Sequence, residues 1–294
     1  PANLVYFSCM KGERMDRLLL VDGSNLLFQM FYGMPARIPG RDGRPVHGTL
    51  GFTGALLRVL RMRVPTHCVV FFDGEHENPR KALDEAYKAN RPDFSHMEEQ
   101  ETPFGQLPDI NRVLEYLGIP RMETTDCETD DLIAAYARRM GEKMYVDILS
   151  YDSDFFQLLS NRVSQLRYRG KLTVCWDPNT FREKFGIEPE QYADFKSLTG
   201  DASDNIRGAE RVGPKTAAKL LRQHGTLEAL LTGAEEISQP ALRESILSSR
   251  ERLLRNRALI RLEGTVPLPF MPEEMTFVLP EESSGSILRR LEIL

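Results

Sequence analysis

Three nearly unbroken apolar stretches mark the first half of the chain. Arg17-Leu18-Leu19-Leu20-Val21 leads into Asp22, and His67-Cys68-Val69-Val70-Phe71-Phe72 leads into Asp73. Met144-Tyr145-Val146-Asp147-Ile148-Leu149 runs on to Asp152 and Asp154. Runs of this length suit strands buried on both faces. Between them, Gly51 to Arg63, Phe104 to Leu117 and Glu128 to Met140 carry apolar residues at helical spacing. The last of these has Thr125 or Asp126 as a candidate N-cap and acids in its first turn. Strand-length and helical patterns alternating over residues 16–160 predict an α/β fold with a twisted, mostly parallel central sheet.

The polar stretch between Gly74 and Pro103 is too long for a simple connection, and such insertions are functional or disordered. Beyond about residue 185 the pattern is helical only: Pro189 to Leu198, Pro214 to Gln223, Thr226 to Leu231 and Ala241 to Leu262. Pro267, Pro269, Pro272 and Pro280 predict an extended, loosely ordered end. The expected organisation is therefore an extension or expression remnant over 1–15 and an α/β core over 16–185 with an insertion at 75–103. A helical subdomain over 186–265 and a tail over 266–294 complete it.

Composition adds limits. Hydrophobic residues make up 41% of the 294 and charged ones 28%, an ordinary globular profile. No apolar stretch approaches the roughly 20 residues of a membrane span, so no membrane partner is expected. Cys9, Cys68, Cys127 and Cys175 are scattered, which favours a reducing cytoplasmic setting over a disulfide scaffold. His47, His67, His76, His96 and His224 lack metal-ligand spacing, and Trp176 reads as a packing residue.

Nine carboxylates stand at the ends of expected elements: Asp22, Asp73, Glu128, Asp130, Asp131, Asp152, Asp154, Asp201 and Asp204. The carboxyl ends of parallel strands share one edge, where open α/β sheets bind ligands. So much negative charge in one crevice cannot stay ionised unaided. Hard divalent cations with oxygen ligands answer that need, which points to a Mg²⁺- or Mn²⁺-dependent enzyme acting on phosphates. The net charge of −5 does not oppose a nucleic-acid substrate: setting those nine aside from the 43 acidic residues leaves 34 against 38 basic ones.

Each acidic group has a plain alternative. A strand-end Asp such as Asp22 or Asp73 also serves as a helix N-cap. Glu128 and Asp131 can share a helix face while Asp130 points elsewhere. Asp152 and Asp154 fit a capping turn. Gly208-Ala209-Glu210-Arg211-Val212-Gly213-Pro214-Lys215-Thr216 opens a helix, where Gly208 and Gly213 could take positive φ. The helix N-terminus with Lys215 and Lys219 offers an anion site.

The order VDGSN, FFDG, ETDD, SYDSD and GDASDNIRG resembles the 5′-nuclease (flap endonuclease) superfamily over residues 16 to 265. The likeness is greatest to the 5′–3′ exonuclease domain of bacterial DNA polymerase I and its free-standing bacterial and bacteriophage relatives. The resemblance implies a PIN-like, resolvase-like core, a helical arch and a helix–three-turn–helix. It also implies two Mg²⁺ or Mn²⁺ ions, with Asp22, Asp73, Glu128 and Asp130 around the first and Asp131, Asp152, Asp154, Asp201 and Asp204 around the second. Lys81, Tyr87, Lys88 and Arg91 match the arch; Lys88 and Arg91 would touch the scissile phosphate and Tyr87 would stack on a base. Gly208, Gly213, Lys215, Thr216 and Lys219 match the duplex grip, with K⁺ in its loop. The implied protein is a monomeric nuclease of the bacterial nucleoid, cutting DNA 5′ flaps, single-strand/duplex junctions and RNA primers. A PIN-type ribonuclease and a catalytically weak DNA-junction binder are the alternatives.

Overall fold

A computed structural model describes residues 15–74, 79–90, 94 and 96–294. The extension over 1–14 and Arg91 lie outside the described residues. Strands β1 (Arg17–Asp22), β2 (His67–Asp73), β3 (Arg121–Thr124), β4 (Tyr145–Leu149), β5 (Val163–Arg167) and β6 (Val174–Trp176) form one sheet in the order β3-β2-β1-β4-β5-β6. The first five are mutually parallel and β6 is antiparallel at the edge. The chain builds outward from β1 to β3, then returns to lay β4 on the other side of β1. That reversal opens a crevice at the carboxyl ends of β1 and β4.

Alternate side chains of the central strands enter opposite cores. Leu19, Val21, Cys68, Val70 and Phe72 pack on one face, Leu18, Leu20, Val69, Phe71, Val146 and Ile148 on the other. The first face is covered by α1 (Gly23–Gly33), α2 (His47–Arg63) and α3 (Leu107–Tyr116), the second by α4 (Thr129–Gly141). Asp147 sits within β4 and is fully buried, bonded by Arg17, Arg63 and Ser164. It interrupts the apolar run because three donors replace its water.

Helix α5 (Pro178–Phe185) leads to a helical body of α6 (Tyr192–Thr199), α7 (Pro214–His224), α8 (Leu227–Thr232), α9 (Pro240–Ser248) and α10 (Arg250–Ile260). A two-stranded ribbon, β7 (Gly200–Asp201) with β8 (Ile206–Arg207), joins α6 to the turn before α7. Four expectations need correction. The single helix expected from Ala241 to Leu262 breaks at Ser249, whose backbone (φ −94°, ψ 0°) leaves the helical path. The expected N-cap of α4 moves to Glu128, because Thr125 and Asp126 lie before the turn. The tail expected to be loose carries α11 (Ser284–Arg290), capped by Ser283, with Ile287 and Leu288 buried among the core residues of α2 and α3. Within the insertion, the described residues form only 3₁₀ turns at Pro79–Ala82 and Glu99–Glu101 and irregular turns between. Its polar sequence gives a longer helix no apolar stripe to bury.

Candidate active site

Asp22 ends β1 and caps α1: its Oδ1 accepts from the Asn25 N–H at 3.0 Å, and its Oδ2 accepts from Ser150 Oγ at 2.7 Å. The capping role and a place in the crevice are thus held by the same carboxylate. Burial first, then the charges of Asp73 and Asp152, push its pKa up to about 7. Asp73 ends β2 exposed, with its own N–H donating to Ser24 Oγ at 2.8 Å. Asp130, in the first turn of α4, is raised well above the ordinary carboxylate range by burial and by Asp152, Asp22 and Asp73, with Lys88 opposing. Asp152 caps the turn after β4, accepting from the Asp154 N–H at 2.8 Å. Asp22, Asp73, Asp130 and Asp152 therefore form one electrostatic group, so Asp130 turns toward the crevice that its helical position alone left in doubt.

Asp154, Asp201 and Asp204 form a second group, their oxygens within 4.8 Å of one another. Lys196 on α6 pairs with both Asp154 and Asp201. Burial and Asp152 still push Asp154 up to about 7, against the pull of Lys196. Burial also acts on Asp201, but Lys196 and Ser203 outweigh it and hold that group below its ordinary value. With two carboxylates beside it, buried Lys196 is kept protonated.

Glu128 and Asp131 face the base of the insertion. Arg80 pairs with both, at 2.8 Å to Asp131, and Lys88 Nζ reaches Glu128 at 3.0 Å. Of the five acids the resemblance placed around the second metal, Asp131 pairs with Arg80 instead of meeting the Asp154 group, and Asp152 lies beside both Asp22 and Asp154. Lys88 has a left-handed backbone (φ 57°), and its N–H donates to Asp204 O at 3.1 Å. Lys81 is exposed. Tyr87, expected to offer a stacking face, is 3% exposed in an apolar cluster with Ala193, Ile206, Leu259 and Ile260.

Gly208 and Gly213 are not in the left-handed region; Asn205 (φ 59°) and Arg211 (φ 63°) take those positions instead. Gly208 is needed for close approach, since a Cβ there would lie 2.4 Å from Leu198 O. Gly213 caps α7 with an extended backbone and open space around it. Lys215 and Lys219 are exposed four residues apart on α7, with Thr216 half-buried between them. Sequence reasoning missed Arg80, Ser150 and Lys196. Lys196 was visible as a lysine between the buried Phe195 and Leu198 of α6; Arg80 lies in a stretch without periodicity and gave no signal.

Residues 17–186 match the family model of the 5′–3′ exonuclease N-terminal resolvase-like domain, and residues 187–283 that of the 5′–3′ exonuclease C-terminal SAM fold. DNA polymerase I of Rhizobium leguminosarum is 38% identical over 275 residues, covering 91% of this chain and 26% of that protein. Thermostable DNA polymerase I of Thermus aquaticus is 36% identical over 262 residues, covering 87% and 30%. The chain thus spans under a third of the length of these relatives. Among solved structures, the T5 D15 protein co-crystallised with metal ions has a TM-score of 0.67 at 22% identity, covering 83% of this chain and 89% of that one. The catalytic core of Rad2 in complex with DNA substrate (complex III) has 0.58 at 14%, covering 94% and 88%. At these identities the two structures speak for the fold alone.

Proposed function

Because the chain belongs to the 5′–3′ exonuclease family, we propose that it hydrolyses phosphodiester bonds near DNA 5′ ends, at flaps and single-strand/duplex junctions, RNA primers included. The observation that carries the reading is the convergence of carboxylates from five segments, three of them pushed out of the ordinary carboxylate range. A purely structural cluster would be neutralised by its own lysines and arginines. Here Asp22 and Asp130 keep raised values at the crevice, as ligands of a hard cation do before it binds.

The donor set is oxygen throughout, which fits two Mg²⁺ or Mn²⁺ ions. Asp22, Asp73, Asp130 and Asp152, with Glu128, would hold one; Asp154, Asp201 and Asp204 would hold the other. Bound there, such ions supply Lewis acidity toward the phosphate and lower the pKa of water. Lys88, with Arg91, would donate to the scissile phosphate and stabilise charge growing on it. Lys215, Lys219, Thr216 and the free N–H groups opening α7 would grip duplex phosphates. A K⁺ ion among the carbonyls between Gly208 and Gly213 belongs to the same reading, as does action by a monomer on nucleoid DNA in the cytoplasm. No helix among the described residues is long and apolar enough to cross a membrane.

The test is cleavage of a 5′-labelled flap and a matched blunt duplex, with and without Mg²⁺. Release of the flap near the junction, only with metal, is expected. Intact substrates under both Mg²⁺ and Mn²⁺ would overturn the reading.

A further inference from the structure

Asp131 stands apart from the other acids in what holds it. Its Oδ1 accepts from Arg80 Nη2 at 2.8 Å and from the Glu263 N–H at 2.7 Å. Arg80, 6% exposed, uses the same Nη2 on Arg261 O at 3.2 Å and its Nη1 on Glu128. Two side chains therefore tie together three segments: the base of the insertion, the acidic turn opening α4, and the irregular segment leaving α10. Other bonds surround this knot. Gln157 reaches Ile260 O and the Leu262 N–H, Asp84 pairs with Arg255 at 3.2 Å, and Tyr87 packs on Leu259 and Ile260. Unlike Asp154, Asp201 and Asp204, whose oxygens converge on one another, the Asp131 oxygen meets a buried guanidinium and a backbone N–H.

We propose that Asp131 and Arg80 are a positioning pair and that Asp131 is not a metal ligand. They hold the insertion against the crevice so that Lys88 and Glu128 stand where the phosphate and its metal are handled. This rests on the nuclease reading above, but the metal count for Asp131 does not depend on cleavage.

The chemistry of the bonds separates this role from ligation. Asn at 131 keeps an acceptor oxygen for both donors, whereas Ala keeps none. Lys at 80 keeps the charge but cannot span two carboxylates and a carbonyl as the planar fork does. The experiment counts bound Mn²⁺ by electron paramagnetic resonance and measures single-turnover flap cleavage in Asp131→Asn, Asp131→Ala, Arg80→Gln, Arg80→Lys, the Asp131→Ala/Arg80→Gln double variant and Asp154→Asn. Wild-type Mn²⁺ stoichiometry is expected in both Asp131 variants, and one ion fewer in Asp154→Asn. Cleavage should stay within about threefold of wild type in Asp131→Asn and fall at least about tenfold in Asp131→Ala, Arg80→Gln and Arg80→Lys, a size typical of displaced catalytic groups. The double variant should be no slower than the slower single one, as for residues acting through one contact. Loss of an ion in Asp131→Asn, or a rate as low there as in Asp131→Ala, would overturn the proposal. So would rescue by Arg80→Lys. If Asp131→Ala does not fold, Asp131→Asn carries the metal count and the two Arg80 variants carry the positioning role. A wild type that binds Mn²⁺ yet cleaves no flap would sink the nuclease reading and leave the Asp131 count standing.

Discussion

Without metal, the carboxylate crevice should cost stability in a defined pH window. Asp22 and Asp154 each rise from 3.8 to about 7 on folding, and Asp130 moves the same way. Between those values the folded chain binds more protons than the unfolded one, so stability falls as pH rises. For one such carboxyl the loss between pH 5 and pH 8 is about 2.5 kcal/mol. Asp22 and Asp154 together therefore lose about 5 kcal/mol, and with an m value of about 3 kcal/mol/M the urea midpoint drops by about 1.7 M. His47, held below its ordinary value by burial, acts in the opposite direction near pH 6 and subtracts a little from this. Asp147 and Asp201, held low by their basic partners, are ionised throughout the window and weaken the fold only in stronger acid. The assay is urea unfolding followed by circular dichroism at pH 5, 6, 7 and 8 in chelator, repeated with Mn²⁺. At 100 times its Kd, Mn²⁺ should return about 2.7 kcal/mol per site at pH 8. Asp22→Asn should flatten part of the slope. A metal-free midpoint that stays level from pH 5 to pH 8, or rises, would refute the electrostatic account of the site.

Asp147→Asn should destabilise the protein by about 3 kcal/mol, the low end for breaking a buried ion pair, because Arg17 and Arg63 are each 25% exposed and can turn to water. Urea unfolding reads this, and the cleavage rate at 25 °C should not change. Asp152→Asn with Asp154→Asn should abolish cleavage in Mg²⁺ while flap binding in Ca²⁺ stays within a few-fold; undiminished turnover would remove these acids from the metal sites. Lys88→Ala should slow single-turnover cleavage by about 100-fold, far more than it weakens binding, as for a group acting on developing charge. Gly208→Ala, which drives a Cβ onto Leu198 O, should weaken duplex binding in a gel-shift assay with less effect on the α/β core.

Strands β1, β2 and β4 were legible because burial on both faces demands unbroken apolar runs. Edge strands β3 (Arg-Met-Glu-Thr) and β6 (Val-Cys-Trp) are short and partly exposed, so no pattern marks them. Helix α1 was overlooked because Asp22 and Gly23 read as the end of a strand, although Leu26, Leu27 and Phe31 face the core at helical spacing. Helix α11 has only two fully buried residues, too few for periodicity to show.

From the order of residues alone came the fact that carboxylates gather at one edge. Parallel strands all end on the same side, so an acid written after each apolar run must arrive there. Which acid meets which cation was decided only by the tertiary structure. Asp130 and Asp131 are neighbours in the chain, yet one faces Asp22 and Asp152 and the other faces Arg80. Lys196 reaches Asp154 from 42 residues away. Charge interaction depends on distance through space and on the water removed between the partners, and neither quantity is written in local sequence.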